Sequence, residues 1–169
     1  MRTTVSLLAL GVLCLAGGCA TTGPEKSARA ASSLRDVQSL LQDADRQFGR
    51  LDNTLKQLRA AGAGDLRKAY EDFDRAAART QDLAARIKDE SAAMKKAGLS
   101  YFDRWEKDAE ALSDPTLKSL SQERRSALRQ DFKRVLSSMA ALDQSYVPFE
   151  VDLKDLQTFL GNDLTKAGS

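Results

Sequence analysis

The side chains best suited to covalent chemistry lie near the start of the chain. Cys19 directly follows the small residues 16–18, Ala-Gly-Gly, which end the uncharged apolar run 5–15. Small residues let an extended segment enter a peptidase active site, and a cysteine thiolate is the nucleophile that accepts an acyl group. Cys19 is therefore a candidate acceptor for a covalent group. Cys14 is a poorer candidate because a bulky leucine precedes it.

The segment before Cys19 is typical of a secretory signal. A transmembrane helix needs about 20 apolar residues, whereas the run 5–15 is shorter and follows the positive charge of Arg2. The stretch LAGGC resembles the bacterial lipobox, which implies that residues 1–18 are removed and that Cys19 carries the lipid. Two or more acyl chains would hold the protein stably on a membrane. The alternative is an ordinary signal peptide with an incidental cysteine.

Two further features refine this prediction. Ala20, rather than aspartate, follows the acylated position; in bacteria that sort lipoproteins, this implies the outer membrane, facing the periplasm. Gly23 and Pro24 interrupt regular structure, so we expect a lipidated tether over 19–31 and a folded domain over 32–166.

Several chemistries are excluded by residues that the chain lacks. There is no histidine, and no cysteine follows Cys19. Zinc sites of the His or Cys type, di-iron helical sites and Ser-His or Cys-His nucleophiles therefore cannot be built. The 26 basic and 24 acidic residues nearly balance, which gives no support for nucleic-acid binding. We expect no enzymatic activity, no cofactor, no metal and no small-molecule substrate.

Apolar residues recur in steps of three and four through three segments separated by turn signals. Ser33 is a predicted N-cap for the first segment, and Asp65 and Asp114 are predicted N-caps for the second and third. The second stripe shifts phase near Ser91, a stutter. Gly98 within it marks either a bend or a close helix contact. The stripes are, in chain order, Leu34, Val37, Leu41, Ala44, Phe48, Leu51, Leu55 and Leu58; Leu66, Ala69, Phe73, Ala76, Thr80, Leu83 and Ile87; and Leu128, Phe132, Val135, Met139, Leu142, Tyr146, Phe149, Leu153, Leu156 and Leu160.

Three amphipathic helices joined by short turns can bury their apolar stripes only against one another. The sequence therefore predicts an all-α fold, an elongated antiparallel three-helix bundle or coiled coil. Pro148 lies within the third stripe, which keeps its phase on both sides of it. We expect a kinked third helix there rather than a break.

Two segments carry a family resemblance: YFDRWEKDAEALSDPTLKSLSQERR and YVPFEVDLKDLQTFLGNDLT. They resemble the uncharacterised bacterial family catalogued as domain of unknown function 2959, over roughly residues 30–166. Members are similar exported helical proteins with coiled coils, so the resemblance implies fold and compartment without an activity. The residues that carry it are Phe102, Trp105, Leu117, Ser121, Arg124, Tyr146, Pro148, Leu160, Asn162 and Leu164.

Candidate partner-binding residues are few. Trp105 is either an interface anchor or part of the core, and Tyr146 with Pro148 forms either a docking notch or a packed kink. Arg124 and Arg125 either contact an anionic lipid or glycan, or are solvated charges. The chain is thus predicted to be an outer-membrane-anchored lipoprotein acting as a scaffold or adaptor, through an envelope protein or self-association. A lipid- or peptidoglycan-binding module is the alternative.

Overall fold

A computed structural model describes residues 24–62 and 64–166, with side chains through residue 163. This part of the chain holds three α-helices and no strand: α1 (Pro24–Ala60), α2 (Leu66–Glu110) and α3 (Pro115–Lys166). The all-α three-helix prediction is confirmed. None of these three helices carries an apolar stretch long enough to cross a bilayer. The predicted signal peptide and the predicted acylation site, Cys19, lie outside the described residues.

The first helix begins earlier than predicted. α1 starts at Pro24, so residues 24–31 of the predicted tether are helical. Proline suits the first position of a helix, Glu25 lies in its favourable first turn, and the following alanines are strong helix formers. Ser33 is consequently a buried interior residue; its hydroxyl donates to the Ala30 carbonyl at 3.0 Å instead of capping the helix.

The two turns differ in how they start the next helix. At the α2–α3 turn, a carboxylate oxygen of Asp114 accepts hydrogen bonds from the backbone N–H groups of Thr116 (2.7 Å) and Leu117 (3.2 Å), as a cap should. Asp65 occupies the N-cap position of α2, but its side chain makes no capping bond. α3 then runs through Pro148 as one continuous helix.

The helices pack as antiparallel rods with α2 in the middle. α2 packs against both neighbours, whereas no Cα atom of α1 lies within 8 Å of a Cα atom of α3 over the described residues. Two apolar clusters hold the rods together. Cluster 1 lies towards the α1–α2 turn and cluster 2 towards the α2–α3 turn. Their buried members are Leu51, Leu58, Phe73, Ala76, Ala77 and Leu153 in cluster 1, and Val37, Met94, Phe102 and Phe132 in cluster 2.

A polar layer separates the clusters on the α1–α2 side. The Gln47 amide nitrogen donates to the Ala76 carbonyl at 3.0 Å and lies 3.4 Å from the Thr80 hydroxyl oxygen. The Thr80 hydroxyl in turn donates to the Ala76 carbonyl at 2.8 Å. A buried polar pair bonded in this way fixes the register of two helices, because a shift would leave the amide nitrogen without partners.

Candidate functional site

The three helices leave a groove open between the two clusters. This mid-bundle groove is bounded by residues 41–48 of α1, 80–95 of α2 and 136–146 of α3, and its volume is about 590 Å³. Ligand-binding pockets in proteins are typically of this size, mostly apolar, with a few polar groups. The groove therefore has the dimensions and lining of a binding site.

The groove lies beside a level at which side chains of α1 and α3 meet. There, the rings of Phe48 and Phe149 meet edge to face, with centroids 5.5 Å apart. Towards the α2–α3 turn the two helices stay apart, and the seam side chains remain partly in water: Leu34 is 38% exposed and Leu142 is 41% exposed. A rod that buried all three stripes completely would have covered both leucines.

Partly exposed apolar residues follow a heptad repeat on each side of the open seam. On α1 they are seven residues apart at Leu34, Leu41 and Phe48, and on α3 at Leu128, Val135 and Leu142. The neighbouring heptad positions face α2 and are better buried, as for Val37 and Leu51 on α1 and Phe132 and Leu153 on α3. The open seam is therefore a pair of matched heptad columns without a helix between them.

Two hydroxyl groups in the groove lack hydrogen-bond partners. The Ser91 and Tyr146 oxygens are buried and unpaired, although both residues line the groove. Burial raises the pKa of the Tyr146 phenol, and the nearby Glu150 carboxylate raises it further, so the hydroxyl stays a donor. A buried polar group without a partner costs about 1–3 kcal/mol, which a ligand with a polar group could recover.

The rim of the groove carries both signs of charge. Lys88 and Lys95 of α2, Asp45 of α1 and Asp143 of α3 line it. Within 24–62 and 64–166, none of these four side chains is in an ion pair with another residue, unlike the seven pairs found elsewhere on the surface. The rim thus presents free charges of both signs beside an apolar floor.

Trp105 and Arg125 of the predicted partner surface lie outside the groove and bind within the bundle. The Trp105 indole N–H donates to the Ser121 hydroxyl oxygen at 2.8 Å, and its ring packs on cluster 2. The Arg125 guanidinium pairs with Glu106 at 2.7 Å; that hydrogen bond is the main reason the pKa of the Glu106 carboxyl is lowered. The structure therefore places both side chains in α2–α3 packing.

The other predicted residues are divided between surface and groove. Arg124 and Pro148 are exposed and do not line the groove. Tyr146 does line it, and its ring lies 5.8 Å from that of Phe149. The sequence analysis missed Ser91, Lys88 and Lys95 as site residues. The stutter near Ser91 was the one available signal, since a phase shift in a stripe marks a place where packing changes.

Comparisons with known proteins give a family and no function. No curated protein matches the chain, and no solved structure does. A family model described as "Protein of unknown function (DUF2959)" matches residues 18–167. This range covers all three helices and both sides of the groove, in agreement with the resemblance found in the sequence. The chain therefore belongs to this family of proteins of unknown function, DUF2959.

Proposed function

We propose that this chain is a lipid-anchored adaptor of the bacterial cell envelope, held through Cys19 at the periplasmic face of the outer membrane. Its mid-bundle groove receives an amphipathic helix of another envelope protein. The observation that carries the proposal is the open seam, where heptad columns on α1 and α3 face each other without a helix between them. An incoming helix with the same heptad repeat can place its own apolar side chains between those of α1 and α3.

The same observations favour a helix over the lipid or peptidoglycan alternative. An anionic lipid headgroup would be repelled by Asp45 and Asp143, whereas a helix flanked by charges of both signs complements this rim. Sugars of peptidoglycan need many hydrogen-bond partners, and the floor of the groove is mainly aliphatic. A polar side chain of the incoming helix would satisfy the hydroxyls of Ser91 and Tyr146.

In-cell photo-crosslinking tests the adaptor role. A photoreactive residue at Ala140, which lines the groove, is compared with one at Ala141, its exposed neighbour outside the groove. We expect an adduct from position 140 and little from 141, with the crosslink mapped by mass spectrometry to a helical segment of three-four apolar spacing. Capture from both sites alike, or capture of lipid only, would contradict the proposal. An adduct of twice the chain mass would identify a second copy instead.

The anchor is tested separately. Palmitate labelling should mark the wild-type protein and be lost in Cys19→Ala. Ala20→Asp should move the labelled protein from the outer to the inner membrane fraction, if the host sorts lipoproteins by that position. Equal labelling of wild type and Cys19→Ala would remove the anchor from the proposal while leaving the groove untouched.

A further inference from the structure

The start of α1 and the α2–α3 turn lie at the same end of the bundle. Lys26 in the first turn of α1 shares a surface depression with Ser100, Asp103 and Lys107 of α2. Further along, Val37 packs in the same cluster as Phe102. The α1–α2 turn lies at the other end, about 68 Å away along the 45 residues of α2.

An exposed apolar pair marks this shared end. Leu117 and Leu120, in the first two turns of α3, are 53% and 49% exposed. α1 begins beside Ser100 and Asp103, short of the α2–α3 turn, so the first turns of α3 have only α2 as a neighbour. No helix of the described chain is placed to cover these two leucines.

The chain between Cys19 and α1 is short. Five residues, 19–23, precede Pro24 and can span at most about 17 Å. From the level of Asp103 to the end of α2 at Glu110 the distance is about 10 Å along the helix axis. A lipid on Cys19 can therefore lie level with the α2–α3 turn, but it cannot reach the distal end of the rod.

From these relationships we infer that the α2–α3 end of the bundle rests on the membrane that holds the anchor, with Leu117 and Leu120 in the interface. The inference depends on the lipidation of Cys19 under the proposed function. Interfacial apolar side chains enter a membrane by about 5–10 Å, and Leu120 is only about 8 Å along α3 from Pro115. Both leucines lie within that depth when the rod stands on this end.

The charged residues near Leu117 and Leu120 are of both signs, which is compatible with a membrane that contains both zwitterionic and anionic lipids. Near the α2–α3 turn in sequence, Lys107, Lys118 and Arg124 are basic, and Glu110 and Asp114 are acidic. The Lys118 ammonium already donates to the Glu110 carbonyl. With both signs present, contact depends on the leucines more than on anionic lipid. The arrangement places the centre of the groove, near Lys88, about 30 Å from the membrane surface.

Single-cysteine labelling of the lipidated protein tests this orientation. The mature chain has no cysteine other than Cys19, whose thiol the lipid occupies, so an introduced cysteine is the only reactive one. An environment-sensitive fluorophore is placed at Leu120→Cys and, as the distal control, at Arg59→Cys. The lipidated proteins are reconstituted into vesicles of phosphatidylethanolamine and phosphatidylglycerol, with and without spin-labelled lipid.

We expect a blue shift and several-fold quenching by spin-labelled lipid at position 120, and neither at position 59. Leu117→Asp should abolish the quenching at position 120 while the circular dichroism melting curve stays unchanged. If the protein sediments with vesicles but both labels remain aqueous, the orientation is wrong although the anchor stands. If the purified protein carries no lipid and does not sediment, the anchor and the orientation fail together.

Discussion

The ring of Phe132 on α3 occupies the space that a side chain at Gly98 on α2 would need. A Cβ atom at position 98 would lie 2.6 and 2.8 Å from two ring carbons of Phe132, closer than Cβ atoms are found to any neighbour. The same ring packs on Phe102, with centroids 5.6 Å apart. Gly98 therefore allows α2 and α3 to approach closely within cluster 2.

The first expectation concerns Gly98→Ala. Alanine gains about 1 kcal/mol in helix propensity over glycine, but displacing a buried ring costs about 1–3 kcal/mol. Because Phe132 is 7% exposed and held by Phe102, we expect the displacement to prevail, with a net loss of up to about 2 kcal/mol in the free energy of unfolding. Urea denaturation followed by circular dichroism measures the change.

Gly49→Ala is the matched control for that substitution. Gly49 lies inside α1, and nothing surrounds the position where its Cβ would be. Only the propensity gain remains, so this variant should be more stable by about 0.5–1 kcal/mol. Stabilisation by both substitutions would show that Phe132 moves freely and that Gly98 is not a packing requirement.

Some features of this fold could be predicted from the sequence, and others depend on how the helices pack. The three-four spacing of apolar residues was sufficient to predict the three helices, and the Asp114 cap was sufficient to predict the α2–α3 turn. Both features depend only on residues close together in the sequence. Spacing also defined the heptad columns, yet Leu40 and Gln47 are buried while Leu34 and Phe48 are partly exposed. Which column meets a neighbour depends on helix rotation and separation, which local residues do not specify. The groove therefore had no signature beyond the stutter near Ser91.

The hydrogen bond between Trp105 and Ser121 should couple α2 to α3. Trp105→Phe keeps most of the apolar contact with Tyr101 but removes the indole donor. We expect a loss of about 1 kcal/mol in the free energy of unfolding, with a coupling energy of about 0.5–1.5 kcal/mol in a double-mutant cycle with Ser121→Ala. Ser119→Ala, an exposed change on the same turn, should be neutral. A coupling energy near zero would mean that water replaces the bond without cost.

The Glu106–Arg125 pair should make stability depend on pH in the acid range. The hydrogen bond from Arg125, with the charges of Arg125 and Arg129, lowers the pKa of the Glu106 carboxyl in the folded state. The folded protein therefore binds this proton less readily than the unfolded chain, and the stabilisation is complete above the ordinary glutamate pKa. It is lost as pH falls through the lowered folded-state pKa.

Glu106→Gln tests that sign. The stability difference between wild type and Glu106→Gln should be constant from neutral pH to about pH 5 and shrink as the pH falls below about 4. Glu123→Gln, at an exposed site on α3, should show no such convergence. Urea denaturation at several pH values gives the comparison. A difference that grows in acid would show that the arginine does not favour the ionised carboxyl.

Pro148→Ala separates helix stability from the groove. Proline inside a helix removes one backbone hydrogen bond, here to the Gln144 carbonyl, and costs up to about 3 kcal/mol relative to alanine. Because Pro148 is exposed and does not line the groove, the variant should gain about 1–3 kcal/mol in the free energy of unfolding and keep crosslinking from Ala140. Asp152→Ala, also exposed on α3, should change stability little. Loss of stability in Pro148→Ala would instead show that the proline sets the path of α3 that brings Phe149 against Phe48.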